Sequence, residues 1–295
     1  MKGNSVNIAF RNNIPARNNI SANSKKIFID SVLVGVVLLF ALMFLFPFYW
    51  MVTGAFKIQM VAISIPPEWF PKAPTLDNIK LLAKVPSGRW FLNSLFISGA
   101  TTLLVCITSA MAGYSLSKKE FPGRNIIFWM FVAVMTLPKQ VILVPLFVMM
   151  RKMQLFDSFT GLILPAVGWP FGIFLMKQFT QTLPSELLQA AKIDGCNELQ
   201  TFFKIVLPLV KPGIGALAIF TFMSSWNDYF WQLIMIKSTP MKTIPLGIAG
   251  MQEEYSTNYG LIMAGSTLAS IPMIAVFLSF QKYFTRGITM GAVKG

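Results

Sequence analysis

Few residues of this chain have side chains that could carry out chemistry. Histidine is absent, cysteine occurs only as Cys106 and Cys196, and aspartate and glutamate together number 11 in 295 residues. Histidine is the usual acid–base group near neutral pH and a common metal ligand. Two cysteines this far apart fit neither a metal site nor a disulfide framework. We therefore expect no catalytic residue, no metal site and no cofactor held by the chain itself.

Some polar side chains do lie inside stretches that are otherwise apolar. Lys139 and Gln140 lie in one such stretch, and an ionisable group at membrane depth is a functional candidate. Asp228, in a later stretch, is a possible partner of opposite charge for Lys139. Near Asp228, aromatic rings offer flat faces to a sugar ring, and amide and carboxylate groups can bind hydroxyls. The candidates for lining a translocation path are Lys139, Gln140, Trp226, Asn227 and Asp228.

These polar residues also have purely structural explanations. A Lys–Asp pair can seal a subunit interface or face water, and Trp and Tyr gather at the membrane–water interface. Both alternatives stay open at the level of the sequence.

The composition is that of a membrane protein. Hydrophobic residues make up 55% and charged residues 12% of the chain, and the mean hydropathy is +0.62. Soluble domains carry about 25% charged residues, so these values predict a polytopic membrane protein surrounded by lipid. The net charge of +14 does not indicate nucleic acid as a partner, because the basic residues do not cluster on an aromatic-interleaved stretch. The positive net charge is better explained by lysine and arginine that gather on one side of the membrane.

Six segments have the roughly 20 apolar residues that a membrane-spanning helix needs. The predicted fold class is therefore an all-α membrane protein with six transmembrane helices. The first segment is a full span with no small-residue cleavage site after it, so we interpret it as a transmembrane helix and not as a signal peptide. The predicted spans are 29–53, 92–116, 126–150, 158–180, 208–236 and 259–284.

The distribution of lysine and arginine predicts the orientation. With both termini inside, the inner segments hold 15 basic residues and the outer segments hold 9, while Lys139 lies within a span. Cytoplasmic segments of membrane proteins are enriched in these residues. We therefore expect a multi-pass protein of the cell membrane with its N- and C-termini in the cytoplasm.

The most distinctive polar segment is residues 183–207, which we call the elbow. Thr182 is expected to cap a first short helix, Asp-Gly at 194–195 is a turn signal, and Asn197 with Gln200 is expected to cap a second helix. Two short helices with a glycine hinge are thus predicted, facing the cytoplasm on the expected orientation. The elbow is either an amphipathic connector among lipid headgroups or a docking element for a soluble partner.

The elbow also carries a sequence pattern. Gln-Ala-Ala at 189–191 is followed by Gly195 and then by Ile-x-Leu-Pro ending at Pro208. This pattern resembles the signature loop of binding-protein-dependent ABC importer permeases, in which glutamate is usual at the first position. This chain has Gln189 there, and an amide can still accept a hydrogen bond. The resemblance implies coupling to an ATPase through Glu186, Gln189, Ala190, Ala191, Asp194, Gly195, Leu207 and Pro208.

Three further stretches resemble the carbohydrate branch of that family, in particular the smaller permease of maltose-type importers. They are residues 138–165, 218–234 and 286–295. The resemblance implies the ABC importer type I permease fold, a heterodimer with a second and different permease, two copies of a cytoplasmic ATPase, and an extracytoplasmic sugar-binding protein. No phosphate-binding G-x-x-x-x-G-K-[ST] loop occurs in the chain. ATP and Mg are therefore expected on the partner ATPase, and this chain is not expected to be an enzyme.

The predicted organisation divides the chain at its loops. The loop 237–258 resembles the one that probes the sugar cleft of a binding protein, and an ordinary solvated loop is the alternative. Its candidate contacts are Met251, Gln252, Glu253, Glu254 and Tyr255. The expected parts are a cytoplasmic arm (1–28), a first transmembrane helix (29–53), an external loop (54–91), a permease domain (92–284) and a cytoplasmic tail (285–295).

The sequence is also compatible with other functions. The same architecture could import another solute, such as a polyol, glycerol phosphate or an oligopeptide. An integral membrane enzyme is disfavoured because histidine is absent and acidic residues are few. A passive channel is disfavoured because it has no need of the elbow.

Overall fold

The computed structural model describes residues 18–58, 64–251 and 258–292, with side chains from residue 26 to residue 281 within those ranges. This part of the chain is helical and contains no β-strand. The chain forms two compact units, residues 1–50 and residues 51–295.

The first unit consists of most of one long helix. Helix α1 runs from Asn18 to Ala55 and continues into the second unit. The most apolar part of its segment 26–55 has a mean hydropathy of 2.7 and buries none of its residues. A helix that is apolar on every exposed face suits the hydrocarbon of a bilayer.

The second unit is built from helices of very different lengths. Two of them are long and unbroken, α3 and α14, and the others are short pieces joined at sharp turns. The α-helices are α2 (Asp77–Lys84), α3 (Ser87–Lys118), α4 (Arg124–Met135), α5 (Lys139–Lys152), α6 (Phe159–Ile163), α7 (Pro170–Gln181), α8 (Ser185–Ile193), α9 (Glu198–Thr201), α10 (Leu207–Leu209), α11 (Lys211–Trp226), α12 (Phe230–Met235), α13 (Ile244–Gly250) and α14 (Tyr259–Ala292). A π-helical turn, Phe202–Val206, joins α9 to α10.

Two predicted spans, 126–150 and 158–180, are interrupted by bends, and the predicted span 208–236 bends sharply at its start. The bend between α4 and α5 is 107°, that between the helical segment Phe159–Ala166 and α7 is 43°, and that between the helical segment Glu198–Leu209 and α11 is 79°. A proline stands at the start of the second helix of each pair: Pro138, Pro170 and Pro212. Proline lacks an N–H and clashes with the preceding turn, so it starts a helix well and interrupts one.

Counted by length and apolar character, the described residues contain three continuous candidate spans, and up to six if each bent pair crosses once. The continuous spans are 26–55, Ser87–Lys118 and Tyr259–Gln281. The expected fifth span also ends early: α11 stops at Trp226, and α12 follows as a separate short helix.

The largest buried cluster joins α3, α7, α11 and the end of the elbow. Val105, Met176, Val206 and Leu217 are all fully buried there. Gly113 allows α3 to lie directly against the α7 backbone, because a Cβ at that position would stand 2.6 Å from the Met176 carbonyl carbon. Small residues at such contacts are what lets membrane helices pack closely. The elbow is thus anchored to the helices of the membrane core.

Candidate functional site

The first half of the elbow is a short helix closed by a glycine. At the end of α8, Gly195 has φ +77°, the Gly195 N–H donates to the Lys192 carbonyl at 3.1 Å, and the Cys196 N–H donates to the Ala191 carbonyl at 2.9 Å. This is a Schellman motif, which satisfies the last carbonyls of a helix and requires a left-handed residue. A Cβ on Gly195 would meet nothing within 4 Å. Backbone conformation, and not space, therefore selects glycine here.

The second half of the elbow begins with a reciprocal cap. The Gln200 N–H donates to Asn197 Oδ1 at 2.9 Å, and the Asn197 N–H donates to Gln200 Oε1 at 3.0 Å. This capping box confirms the prediction of a second helix capped by Asn197. The prediction that Thr182 caps the first helix is wrong. Thr182 has helical φ and ψ and closes α7, and the extended Pro184 precedes α8 without a side-chain cap.

Most of the elbow's surface is open. Of the residues implied in coupling, Ala191 is buried and Leu207 half-buried, whereas Glu186, Gln189, Ala190, Asp194, Gly195 and Pro208 are exposed. Large apolar side chains are exposed beside them, with Ile193 at 87% and Leu199 at 60%. Exposed apolar side chains among polar ones are typical of a surface that a protein partner covers. The arrangement is suited to docking another protein.

A charged cluster ties the elbow to α3. Glu198 forms an ion pair with Lys119 and accepts a hydrogen bond from the Tyr114 hydroxyl at 3.1 Å. The Lys119 ammonium also lies 5.0 Å from the centre of the Tyr114 ring. The hydrogen bond from Lys119, opposed by burial and assisted by Tyr114, lowers the pKa of Glu198. Burial acts to lower the pKa of Lys119, but the contacts with Glu198 and Tyr114 outweigh it and raise that pKa.

Sequence reasoning missed this cluster. Glu198 lies 84 positions from Tyr114 in the chain, so no local spacing links the two. The local sequence shows only an acidic residue, Glu198, in the first turn of a helix, and this pattern is too common to predict a specific contact.

The residues proposed for a translocation path lie around a cavity of about 540 Å³. Lys139, Gln140 and Asp228 line it, together with Trp169 and Ser224. The Lys139 ammonium donates to Ser224 Oγ at 3.3 Å and lies 6.0 Å from the centre of the Trp169 ring. Asp228 Oδ1 accepts from the Trp231 N–H at 3.3 Å. Lys139 and Asp228 line the same cavity, and the charge of Lys139 acts on the Asp228 carboxylate without a close ion pair between them. Their pairing stays a prediction.

Trp226 and Asn227 are not among the lining residues of this cavity. Trp226 is 2% exposed, donates through Nε1 to the Ala269 carbonyl at 3.1 Å and stacks on Phe222 with ring centres 5.6 Å apart. Asn227 Nδ2 donates to the Met223 carbonyl at 3.0 Å. Trp226 is therefore a packing residue in the interior of the fold. Trp169, at the bend before α7, supplies the aromatic face, and only the fold brings it to Lys139.

The structure describes one of the five candidate contacts in the loop 237–258. Met251 is half-buried at the end of α13. Gln252, Glu253, Glu254 and Tyr255 lie outside the described residues.

Bent apolar spans around a cavity that a few polar side chains line, with an exposed elbow fastened to them, are typical of a membrane transport subunit. The family model described as "Binding-protein-dependent transport system inner membrane component" matches residues 105–290. The chain belongs to this family and is a permease subunit of an ABC importer.

Relatives match over nearly their whole length. The arabinooligosaccharides transport system permease protein AraQ of Bacillus subtilis is 38% identical over 262 residues, covering 88% of this chain and 93% of the relative. The lactose transport system permease protein LacG of Rhizobium radiobacter is 32% identical over 266 residues, covering 90% and 96%. A subunit of a bacterial ABC transporter that imports the acidic polysaccharide alginate has the same fold, with a TM-score of 0.73, 22% identity, and coverage of 88% of this chain and 98% of that one.

Proposed function

We propose that this chain is one of two different membrane subunits of an ATP-driven carbohydrate importer in the cell membrane. It forms half of the translocation pathway, and its partners are a second permease, two copies of a cytoplasmic ATPase, an extracytoplasmic sugar-binding protein and membrane lipid. The observation that carries this proposal is the elbow, an exposed and internally braced helix pair anchored to α3.

The carbohydrate substrate is supported by two independent observations. The relatives named above transport arabinooligosaccharides and lactose, as their names state. The cavity of this chain combines the Trp169 ring with the polar groups of Lys139, Gln140 and Asp228. An apolar aromatic face with a few hydrogen-bonding groups is the usual composition of a site for a polar small molecule. We propose that these residues line the sugar's path.

ATP and Mg are proposed to bind to the partner ATPase. We place the N- and C-termini in the cytoplasm, as the distribution of basic residues predicts, so that the elbow reaches that partner. The proposed docking surface comprises Glu186, Gln189, Ala190, Ala191, Asp194, Gly195, Leu207 and Pro208.

The proposed movement follows from the geometry of α8. Its Schellman motif and the capping box after it leave few unsatisfied backbone groups, so the elbow can move as one body when the ATPase pair closes. The attached helices α7 and α11 then turn with it, and the cavity opens to one side of the membrane at a time. On the opposite side, we propose that residues 251–255 contact the binding protein.

Substitution of Gly195 tests the docking role. Valine at a positive φ is strongly disfavoured, so Gly195→Val is expected to distort α8 and to abolish ATP-dependent sugar uptake in vesicles. Gly195→Asn is the matched control, because asparagine tolerates the left-handed conformation, and it should keep uptake within about two-fold.

Membrane assembly, ATP hydrolysis and uptake are measured together, with and without the binding protein. Normal uptake by Gly195→Val would refute the docking role. Transport by the chain alone, without ATP, would refute the importer assignment.

A further inference from the structure

Helix α3 is unbroken from Ser87 to Lys118. At about 1.5 Å per residue it extends for roughly 48 Å, enough to cross the whole bilayer. Three of the other candidate spans bend at prolines. A continuous helix passes a displacement from one end to the other without a hinge, provided that both of its ends are fastened.

One end of α3 is fastened to both flanks of α8. Before α8, the Lys118 ammonium donates to the carbonyls of Gln181 and Leu183. After α8, Glu198 binds both Lys119 and the Tyr114 hydroxyl. The elbow therefore cannot shift without straining contacts to the last residues of α3.

Apolar packing reinforces this end. The ring of Phe202, 3% exposed, lies 5.9 Å from the Tyr114 ring, centre to centre, and both belong to the largest buried cluster. Charge-assisted hydrogen bonds and buried aromatic contacts each resist displacement. The connection thus has a polar and an apolar component.

The other end of α3 is fastened to the segment 239–244. Trp90 Nε1 donates to the Thr239 carbonyl at 2.8 Å. Asn93 Nδ2 donates to the carbonyls of Pro240 and Lys242 at 2.9 and 2.8 Å. The Ile244 N–H donates to Ser94 Oγ at 2.8 Å.

The segment 239–244 leads directly into α13, which is also held by α3. Gly247 of α13 lies against the Trp90 ring so closely that a Cβ there would overlap the indole. Three side chains within two turns of α3 therefore hold four backbone groups of the segment 239–244. One of them, Trp90, also packs against Gly247 of α13.

We propose that α3 mechanically connects the elbow to the segment 239–244, with Glu198 and Asn93 as the positioning residues at its two ends. The proposal rests on the proposed function, because it makes α3 the element through which nucleotide binding to the ATPase docked at the elbow changes the opposite face of the transporter. Neither residue touches substrate or nucleotide. Their role is to hold α3 to the parts that move.

The test uses the assembled transporter in lipid nanodiscs and a chemical reporter at the far end of α3. Cys106 and Cys196 are replaced by serine, and exposed Thr239 is replaced by cysteine. The alkylation rate of this cysteine with a charged maleimide is measured without nucleotide and after trapping with Mg-ATP and vanadate. In the parental protein the two rates are expected to differ.

Glu198→Ala is expected to reduce that difference by about five-fold or more, the lower range of allosteric coupling, while assembly is retained. Glu120→Ala is the matched control, because Glu120 is an exposed glutamate next to Lys119 for which no contact with the elbow is recorded. The charge-swapped pair Lys119→Glu with Glu198→Lys should restore part of the response. If Glu198 had only a structural role, Glu198→Ala would lower assembly, and the charge-swapped pair would not restore the response.

Asn93→Ala provides a second test that leaves the elbow unaltered. It should lower the response at Thr239→Cys while ATP hydrolysis persists. Full responses in both Glu198→Ala and Asn93→Ala would overturn the connection through α3. A parental transporter that hydrolyses ATP with no change at position 239 would overturn it as well. A parental transporter that hydrolyses no ATP would refute the proposed function, and the connection with it.

Discussion

Gly195 and Glu198 show two kinds of residue requirement within four positions of the elbow. Gly195 is needed for its backbone, since φ is +77° and the space beside it is empty. Glu198 is needed for its charge, since it contacts Tyr114 of α3 and Lys119 directly after that helix. The first requirement was predictable from the Asp-Gly pair and its spacing. The second depends on residues distant in sequence and was not.

The ion pair predicts a pH dependence of stability. The pKa of Glu198 is lowered in the folded protein, so its contribution is present above its ordinary pKa and is lost as the pH falls through the lowered value. The pKa of Lys119 is raised, so its contribution is present below its ordinary pKa and is lost as the pH rises through the raised value. The pair therefore stabilises the fold throughout the neutral range.

Thermal unfolding in detergent measures this effect. Glu198→Gln should lower stability by about 0–1 kcal/mol near pH 7, because the Glu198 side chain is 59% exposed and solvent screens the pair. The difference from the parental protein should shrink as the solution is acidified below about pH 4. A difference that is equal at both pH values would contradict the assigned role of the carboxylate.

At the scale of elements, the contact between α3 and α7 depends on glycine. A Cβ at Gly113 would meet the Met176 and Lys177 backbone, whereas a Cβ at Gly99 on the same helix would meet nothing within 4 Å. Gly113→Ala is expected to destabilise the protein by about 1–3 kcal/mol through overpacking. Gly99→Ala should be neutral or slightly stabilising, because alanine favours helix over glycine by about 1 kcal/mol.

Thermal unfolding and size-exclusion profiles of the two variants in one detergent check this prediction. Equal stability of Gly113→Ala and Gly99→Ala would show that the two helices can separate without cost. Such a result would also weaken the case for α3 as a rigid connector.

The positions of the membrane-spanning segments were predictable from the sequence, whereas the bends within them were not. Hydropathy predicted an apolar segment near each place where the structure has a span or a bent pair. The bends at Pro138, Pro170 and Pro212 were missed because an average over a window of residues is blind to a single missing N–H. The cavity follows from these bends, since the break before α5 brings Lys139 to its wall.

At the scale of the whole molecule, the distribution of charge predicts which loops face the cytoplasm and which face the outside. Thr239 and Glu120 are both exposed, and they lie on opposite sides in the predicted orientation. In intact cells, an impermeant maleimide should label Thr239→Cys and should label Glu120→Cys only after permeabilisation. The reversed pattern would place the elbow outside the cell, away from any cytoplasmic ATPase.

The architecture as a whole was the most predictable level, because the elbow pattern resembles a known family and that family is confirmed. The wall of the cavity was predictable only in part. Lys139, Gln140 and Asp228 were identified as unusual polar residues in apolar stretches, whereas Trp169 was missed because nothing in its local sequence distinguishes it from a packing residue.

The contacts at both ends of α3 limit the insertions and deletions that this helix can tolerate. Each residue inserted into a helix turns one end relative to the other by about 100° and lengthens the helix by about 1.5 Å. A single insertion between Asn93 and Tyr114 would point one set of donors away from its acceptors, even if every side chain were kept. The number of residues between those two positions is therefore as constrained as their identity, and a deletion or insertion there should be harder to tolerate than most substitutions.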